Sequence, residues 1–337
     1  MATLSIAQPF KYWIKNPISD LVFFCFGWIP VFLALVMFEQ HIGLIILFVM
    51  MFTHVHRHYT FALVYGEKEE FEKRKTAYVL LPILAVIVTL VALYFDKFSI
   101  LVAISVPWVM YHSVSQKYGI ARIYSRKTGY GEAWIEKGLI FSWFVYLFFG
   151  LAEKEKASLL KYPAGRALMG YIENYLDYFT ALSYLFLLVA AFFTLAYIYQ
   201  EFRNRHQISI PKNVFVLSTL ILYCIFFHSL IVGYIVFGFS HAIEYIAFVN
   251  IFVNSKYKKK PDSTSVLALA SKKQWFYSSL FALAIVALCY LGMKLNMDAF
   301  TIYIVGSSFL HFIYDGFIWK IRKPEVGKPL DIKYASA

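Results

Sequence analysis

The sequence predicts an all-α, polytopic integral membrane protein with about ten transmembrane helices and both termini cytoplasmic. Three observations predict it. The 337 residues are 60% hydrophobic and 20% aromatic but only 15% charged, with a mean hydropathy of +0.62; a soluble domain carries about a quarter charged residues. The apolar residues gather into runs long enough to cross about 30 Å of hydrocarbon, which takes roughly 20 helical residues each. The 32 Lys and Arg that produce the net charge of +12 sit at alternate ends of those runs, a mark of membrane topology rather than of a nucleic-acid surface. The composition also excludes a disordered, collagen-like or disulfide-built chain.

The elements follow in order. Segment 1–19, with Phe10, Lys11, Tyr12, Trp13 and Lys15, is expected at the inner interface, where rings and basic groups both find suitable surroundings. The first span, 20–38, is long enough to cross and is not a cleavable signal peptide. The second and third, 42–65 and 77–95, are separated by a charged inner turn. The fourth, 98–121, and the fifth, 134–152, flank the stretch QKYGIARIYSRKTGYGE, Gln116 to Glu132. It is expected as an inner loop, either an ordinary positive one or a lid or docking surface beside a site. Segment 153–176 mixes charge with Leu, Met and Tyr and is expected on the outer surface. Spans six to eight are 177–200, 214–234 and 236–255; the last two either meet at a short turn near Gly238 or divide with a shorter seventh helix. The ninth and tenth are 275–293 and 298–320. Trp319 and Lys320 anchor the tenth, and 322–337 forms an inner tail. The chain reads as a single membrane domain over 1–337, without tandem or inverted repeats.

Orientation follows from charge. With the N-terminus inside, 25 basic residues fall in inner loops or at inner helix ends and six outside, while Arg57 lies within a span. Lys and Arg resist translocation, so the excess supports both an even span number and inner termini. The localisation expected is a plasma or inner membrane. Cys25, Cys224 and Cys289 are far apart in apolar runs, which gives neither a thiolate metal site nor a redox dithiol. No phosphate-binding loop, dinucleotide fingerprint, HExxH or GxSxG pattern is present.

The informative residues are the polar ones inside the spans, where imidazoles and charges are costly. Seven of nine histidines fall there: His54, His56, His58, His112, His228, His241 and His311. His54 and His58 share one helix face and His56 points the other way. His112 is followed by Gln116, His241 by Glu244 and His311 by Asp315. His54, His112 and His311 each lie roughly 18–21 Å from the outer end of helices running outside to inside. His54, His58, His112, His241 and His311 are therefore the expected metal ligands, with His56 structural or supporting. His241 joins them if the eighth helix starts earlier; otherwise it forms a second outer site with His228. Asp315, Glu244 and Gln116 are expected to orient ligands, bridge ions or move protons. Arg57 is expected to snorkel, to be ion-paired or to meet an anionic head group.

A set of membrane histidines paired with carboxylates on several spans resembles, at class level, the polyhistidine non-haem iron enzymes of membranes. These comprise the lipid desaturases and hydroxylases and the Brp/Blh type of carotenoid-cleaving dioxygenase. Of the desaturase boxes only HxxxH is present, as His54 and His58 within HVHRH, and HxxHH is missing. Single histidines on separate helices are closer to the Brp/Blh arrangement. The resemblance implies one or two non-haem iron ions, a lipid, carotenoid or terpenoid substrate and a cytoplasmic electron donor. Zinc, copper or haem are the alternative cofactors. The expected partners are membrane lipids and that hydrophobic substrate, with no nucleic acid. Competing expectations are a haem protein carrying electrons, a transporter with a His–carboxylate relay, and a scaffold.

Overall fold

A computed structural model of the chain describes residues 12–161, 163–260 and 263–332. Phe10 and Lys11 of the expected interfacial segment, and 333–337 of the expected tail, lie outside the described residues. Every regular element among the described residues is helical, as apolar surroundings require of a chain that must pair its own backbone groups. Among the described residues nine helices are long and apolar enough to cross a membrane, and a tenth span results if one bent pair counts as a single crossing.

That bent pair replaces the expected continuous first span. Pro17–Cys25 and α1 (Ile29–Met37) meet at 46°. The Cys25 carbonyl freed at the bend accepts from Trp28 Nε1 at 2.8 Å and from the Ser218 hydroxyl. Buried Asp20 holds the entry, accepting from the Ile14 and Lys15 amides at 2.6 and 3.0 Å and from Tyr124 at 2.9 Å. The other long helices are α2 (Ile42–Tyr65), α3 (Lys75–Tyr94), α4 (Phe98–Thr128), α5 (Ala133–Lys154), α6 (Leu176–Arg203), α7 (Ile210–His228), α8 (Leu230–Lys258), α9 (Gln274–Leu295) and α10 (Met297–Ile318).

Two boundaries correct the sequence reading, and both bear on the site. The stretch expected as a loop from Gln116 continues α4 to Thr128, where Gly129 at φ 85° closes it in the left-handed conformation. Its basic residues conceal a buried face, with Ile120, Ala121, Ile123 and Tyr124 packed into the core. The seventh and eighth helices divide at Ser229, so of the two expected divisions the one with a shorter seventh helix is observed and the turn near Gly238 is not. Ser229 is extended and caps the Val232 amide, so α8 begins six residues before the expected 236 and carries His241 deeper.

Burial sorts the helices. In α8, 56% of the most apolar stretch is buried, against 11% in α3 and α9. So α8 is the central post, packed against α1, α2, α4, α7 and α9, while α10 packs against α2, α3, α4 and α9. At the Lys-rich end the bundle is tied by buried charge. Lys212 lies 2.5 Å from Glu201 and 3.8 Å over the Tyr130 ring, and Glu136 accepts from Arg122 and Ser125 at 2.5 Å each. Those contacts join α4, α5, α6 and α7.

Candidate metal centre

Four helices running in one direction bring four histidines to one point. Ile42, Phe98 and Met297 open α2, α4 and α10, and His56, His112 and His311 each lie 14 residues on, about 21 Å along the axis. His241, 11 residues into α8, completes the set.

The imidazoles close a ring. His56 meets His241 at 4.8 Å between centroids, and His241 meets His112 at 5.1 Å. His112 meets His311 at 4.7 Å, and His311 meets His56 at 4.8 Å. Adjacent planes cross at 70° to 88°. His56, His241 and His311 are buried, and His112 is only 11% exposed. One ligand atom from each of His56, His241 and His311 lies within 4.8 Å of the others, and the same holds for His112, His311 and Asp315.

The hydrogen bonds fix which nitrogen His311 offers. Thr60 Oγ1 lies 2.8 Å from Asp315 Oδ1 and 2.7 Å from His311 Nδ1. A carboxylate only accepts, so the single Thr60 proton goes to Asp315 and the hydroxyl accepts from Nδ1–H. The lone pair of His311 is therefore on Nε2, facing the ring. His56 Nε2 lies 3.2 Å from that atom. Two imidazoles on one tetrahedral ion, with metal–nitrogen bonds of about 2.0–2.1 Å, hold their nitrogens about 3.3–3.4 Å apart, so the spacing fits a shared ion. His112 Nε2 and His241 Nδ1 are buried with no hydrogen-bond partner, which is costly unless something else binds them.

Asp315 stands beside this ring. Tyr245 donates to its Oδ1 at 2.7 Å, and Trp319 donates to Tyr245 at 3.1 Å. The other oxygen, Oδ2, lies 3.6 Å from His112 Nε2 and 3.8 Å from His311 Nε2. One oxygen is thus anchored and the other faces the centre, where it would offset part of the charge of a bound cation.

Among the sequence-predicted site residues, the structure brings together His112, His241, His311 and Asp315. It does not bring in His54 or His58. His54 donates through Nδ1 to the Met50 carbonyl at 2.5 Å and stacks on Phe300. His58 donates through Nδ1 to the His54 carbonyl at 2.7 Å and accepts from Tyr303 at 2.5 Å. Both occupy the face of α2 opposite His56, which takes the place expected for them. His228 ends α7, exposed and apart from the ring. Glu244 does not bridge ions: it forms a buried ion pair with Lys117 and accepts from Ser240 at 2.7 Å. Gln116 stays outside the ring, donating to the His241 carbonyl at 3.0 Å and to Glu244 at 3.2 Å.

The sequence reading also missed Thr60, Tyr245 and Lys117 as parts of the site. Thr60 and Tyr245 lie four residues after His56 and His241, a spacing that puts each pair on one helix face. Lys117 was expected at an inner helix end and is instead buried because α4 continues past it. Comparison with protein-family models, curated proteins and solved structures finds no match.

Proposed function

We propose that this chain is an integral membrane metalloenzyme, a non-haem iron oxygenase acting on a hydrophobic substrate, with both termini on the cytoplasmic side. The observation that carries the reading is the closed ring of four imidazoles from four helices, with His112 Nε2 and His241 Nδ1 left without a hydrogen-bond partner and a carboxylate beside it. Neutral imidazoles suit iron, zinc or copper and not calcium or magnesium. Four of them leave positions open on an ion that prefers six ligands. Rings packed at 4.7 to 5.1 Å leave no slot for a macrocycle, which favours a non-haem ion over haem. The class-level resemblance to the polyhistidine membrane oxygenases points to iron among the metals these ligands accept.

His56, His112, His241 and His311 would hold the ion, and iron there would supply dioxygen activation and oxidation of an apolar substrate. The chain's own contribution is positional. Thr60 fixes the His311 tautomer. Asp315 Oδ2 is the one acidic oxygen facing the centre and the natural holder of a proton taken up or released there. Tyr245 and Trp319 keep the other oxygen in place. The surrounding apolar side chains exclude water and favour a substrate that enters from the bilayer.

The test is elemental analysis with an optical spectrum of protein purified without chelators, beside the His112→Ala, His311→Ala double variant. Stoichiometric iron without a Soret band, lost in the variant, supports the reading and justifies lipid and carotenoid turnover assays. A Soret band or a metal-free protein overturns it.

A further inference from the structure

A second polar site lies on α2, one residue past the ligand His56. Arg57 points away from the ring and is only 7% exposed. Its Nη1 donates to the Ile304 carbonyl at 3.3 Å and to Ser307 Oγ at 2.9 Å. Among the described residues no carboxylate lies within ion-pair distance of it, although the carboxylates elsewhere in the bundle interior are tied up: Glu244 by Lys117, Glu136 by Arg122 and Glu201 by Lys212. Its titratable neighbours are Tyr303, Cys289 and Tyr234 with His54, His56, His58 and His311, none of them a carboxylate. A guanidinium does not discharge by losing its proton. This bundle therefore pairs its other deeply buried cations and leaves one without a counter-charge.

The surroundings make that cation reachable. Its neighbours Tyr303 and Tyr234 are 44% and 50% exposed on the outer surface of the bundle, and its Nε and Nη2 are not among the fully buried polar atoms without a partner, so the guanidinium lies close to that surface. The Nε and Nη2 protons, which make no hydrogen bond to the rest of the chain, form a fork suited to two oxygens of one planar oxyanion. Its guanidinium bonds at Ile304 and Ser307, 7 and 10 residues into α10, about 10–15 Å along the axis from the start of that helix. That is deeper than a phospholipid phosphate rests and in reach of a small head group drawn inward by an apolar tail.

We propose that Arg57 is the anchor of a binding site for the carboxylate of an apolar acid, a fatty or isoprenoid chain that enters from the membrane beside Tyr303 and Tyr234. The site stands independently of the metal reading, since none of its donors belongs to the imidazole ring.

The test uses the full chain in neutral phosphatidylcholine nanodiscs. Parinaric acid is the probe, read by energy transfer from the protein's tryptophans and displaced by oleate, by methyl oleate or by phosphatidylglycerol. Oleate is expected to displace it at a concentration at least roughly tenfold below that of methyl oleate, the factor carried by one charge-assisted hydrogen bond. Arg57→Gln should bring that ratio to about one, and Arg57→Lys should keep part of it. Equal displacement by acid and ester in the natural protein overturns the proposal without any variant, as does an unchanged ratio in folded Arg57→Gln. Stronger displacement by phosphatidylglycerol than by oleate overturns the carboxylate and assigns the cation to a phospholipid.

Discussion

His56 and the pair His54 and His58 make opposite predictions about metal binding, because α2 cannot turn both toward the centre. His56→Ala removes one of four ligands. Four-ligand sites release about 10–16 kcal/mol on binding, or about 2.5–4 kcal/mol per ligand if shared evenly. At 1.36 kcal/mol per decade the affinity should fall about 10²–10³-fold. His54→Ala removes a ring that stacks on Phe300, and His58→Ala removes a ring that accepts from Tyr303; neither touches the centre, so affinity should stay within a few-fold. The assay is competition against a chelator series, with metal content read by mass spectrometry and folding checked by thermal unfolding. Imidazole added to His56→Ala should refill the gap and restore part of the affinity. Loss of metal in His54→Ala equal to that in His56→Ala would refute the assignment of faces on α2.

Four further outcomes follow from the contacts around the ring. Thr60→Val removes the group that sets the His311 tautomer, so metal affinity should fall about 10–100-fold with full stoichiometry recovered at saturating metal; an unchanged affinity in chelator competition counts against that role. Lys117→Met leaves Glu244 buried without its cation, at a cost of about 3–5 kcal/mol, and adding Glu244→Leu should recover most of the lost thermal midpoint; a double variant no better than the single would show that the pair is not the cause. A Cβ at Gly233 would lie 2.4 Å from Phe226 Cα, so Gly233→Ala must push α7 and α8 apart for about 1–3 kcal/mol, whereas Gly238→Ala, with nothing within 4 Å, should leave the thermal midpoint in place. At the Lys-rich end the Lys73 ammonium, 2.8 Å away, holds the Glu325 carboxyl below the usual range. The pair therefore contributes above the ordinary carboxylate value and is lost as pH falls through the lowered one; a carboxyl titration by NMR should show a low midpoint that Lys73→Ala returns to normal.

The spans were legible because an apolar run of 20 residues has one use, and eight of the ten expected helices match observed ones to within several residues. The misses have specific causes. The bend in the first span depends on Trp28 and Ser218 capturing the Cys25 carbonyl, a contact across the fold that no local pattern signals. The extension of α4 through Lys117 to Thr128 was hidden because Arg122, Arg126 and Lys127 read as a positive inner loop. Arg122 instead pairs with buried Glu136 and Lys127 donates to the Leu330 carbonyl, while Ile120, Ile123 and Tyr124 repeat at helical spacing beside them, and that periodicity outweighs composition. The depth argument placed the histidines at one level, yet it could not separate His54 from His56, which differ by about 3 Å along the axis.

Choosing between those two faces fails for a physical reason. In a soluble helix the buried face is the apolar one. In a membrane helix the lipid-facing side is as apolar as the interior, so hydrophobic periodicity loses its meaning and only polar periodicity remains. Counting histidines on a face favours His54 and His58. Asking what stands one turn after each histidine gives the other answer. His56 is followed by Thr60, His112 by Gln116, His241 by Tyr245 and His311 by Asp315. Thr60 and Tyr245 both donate to Asp315, a contact that joins three helices, and Gln116 holds the His241 carbonyl. A ligand buried in hydrocarbon must be oriented by a neighbour that is itself satisfied, and the helix supplies such a neighbour four residues on. His54 is followed by His58, which turns to Tyr303 and contributes nothing to the centre. The same four-residue step on four separate helices is what distinguishes a built site from scattered imidazoles, and it makes Thr60 and Tyr245 as much a part of this centre as the histidines that would touch the ion.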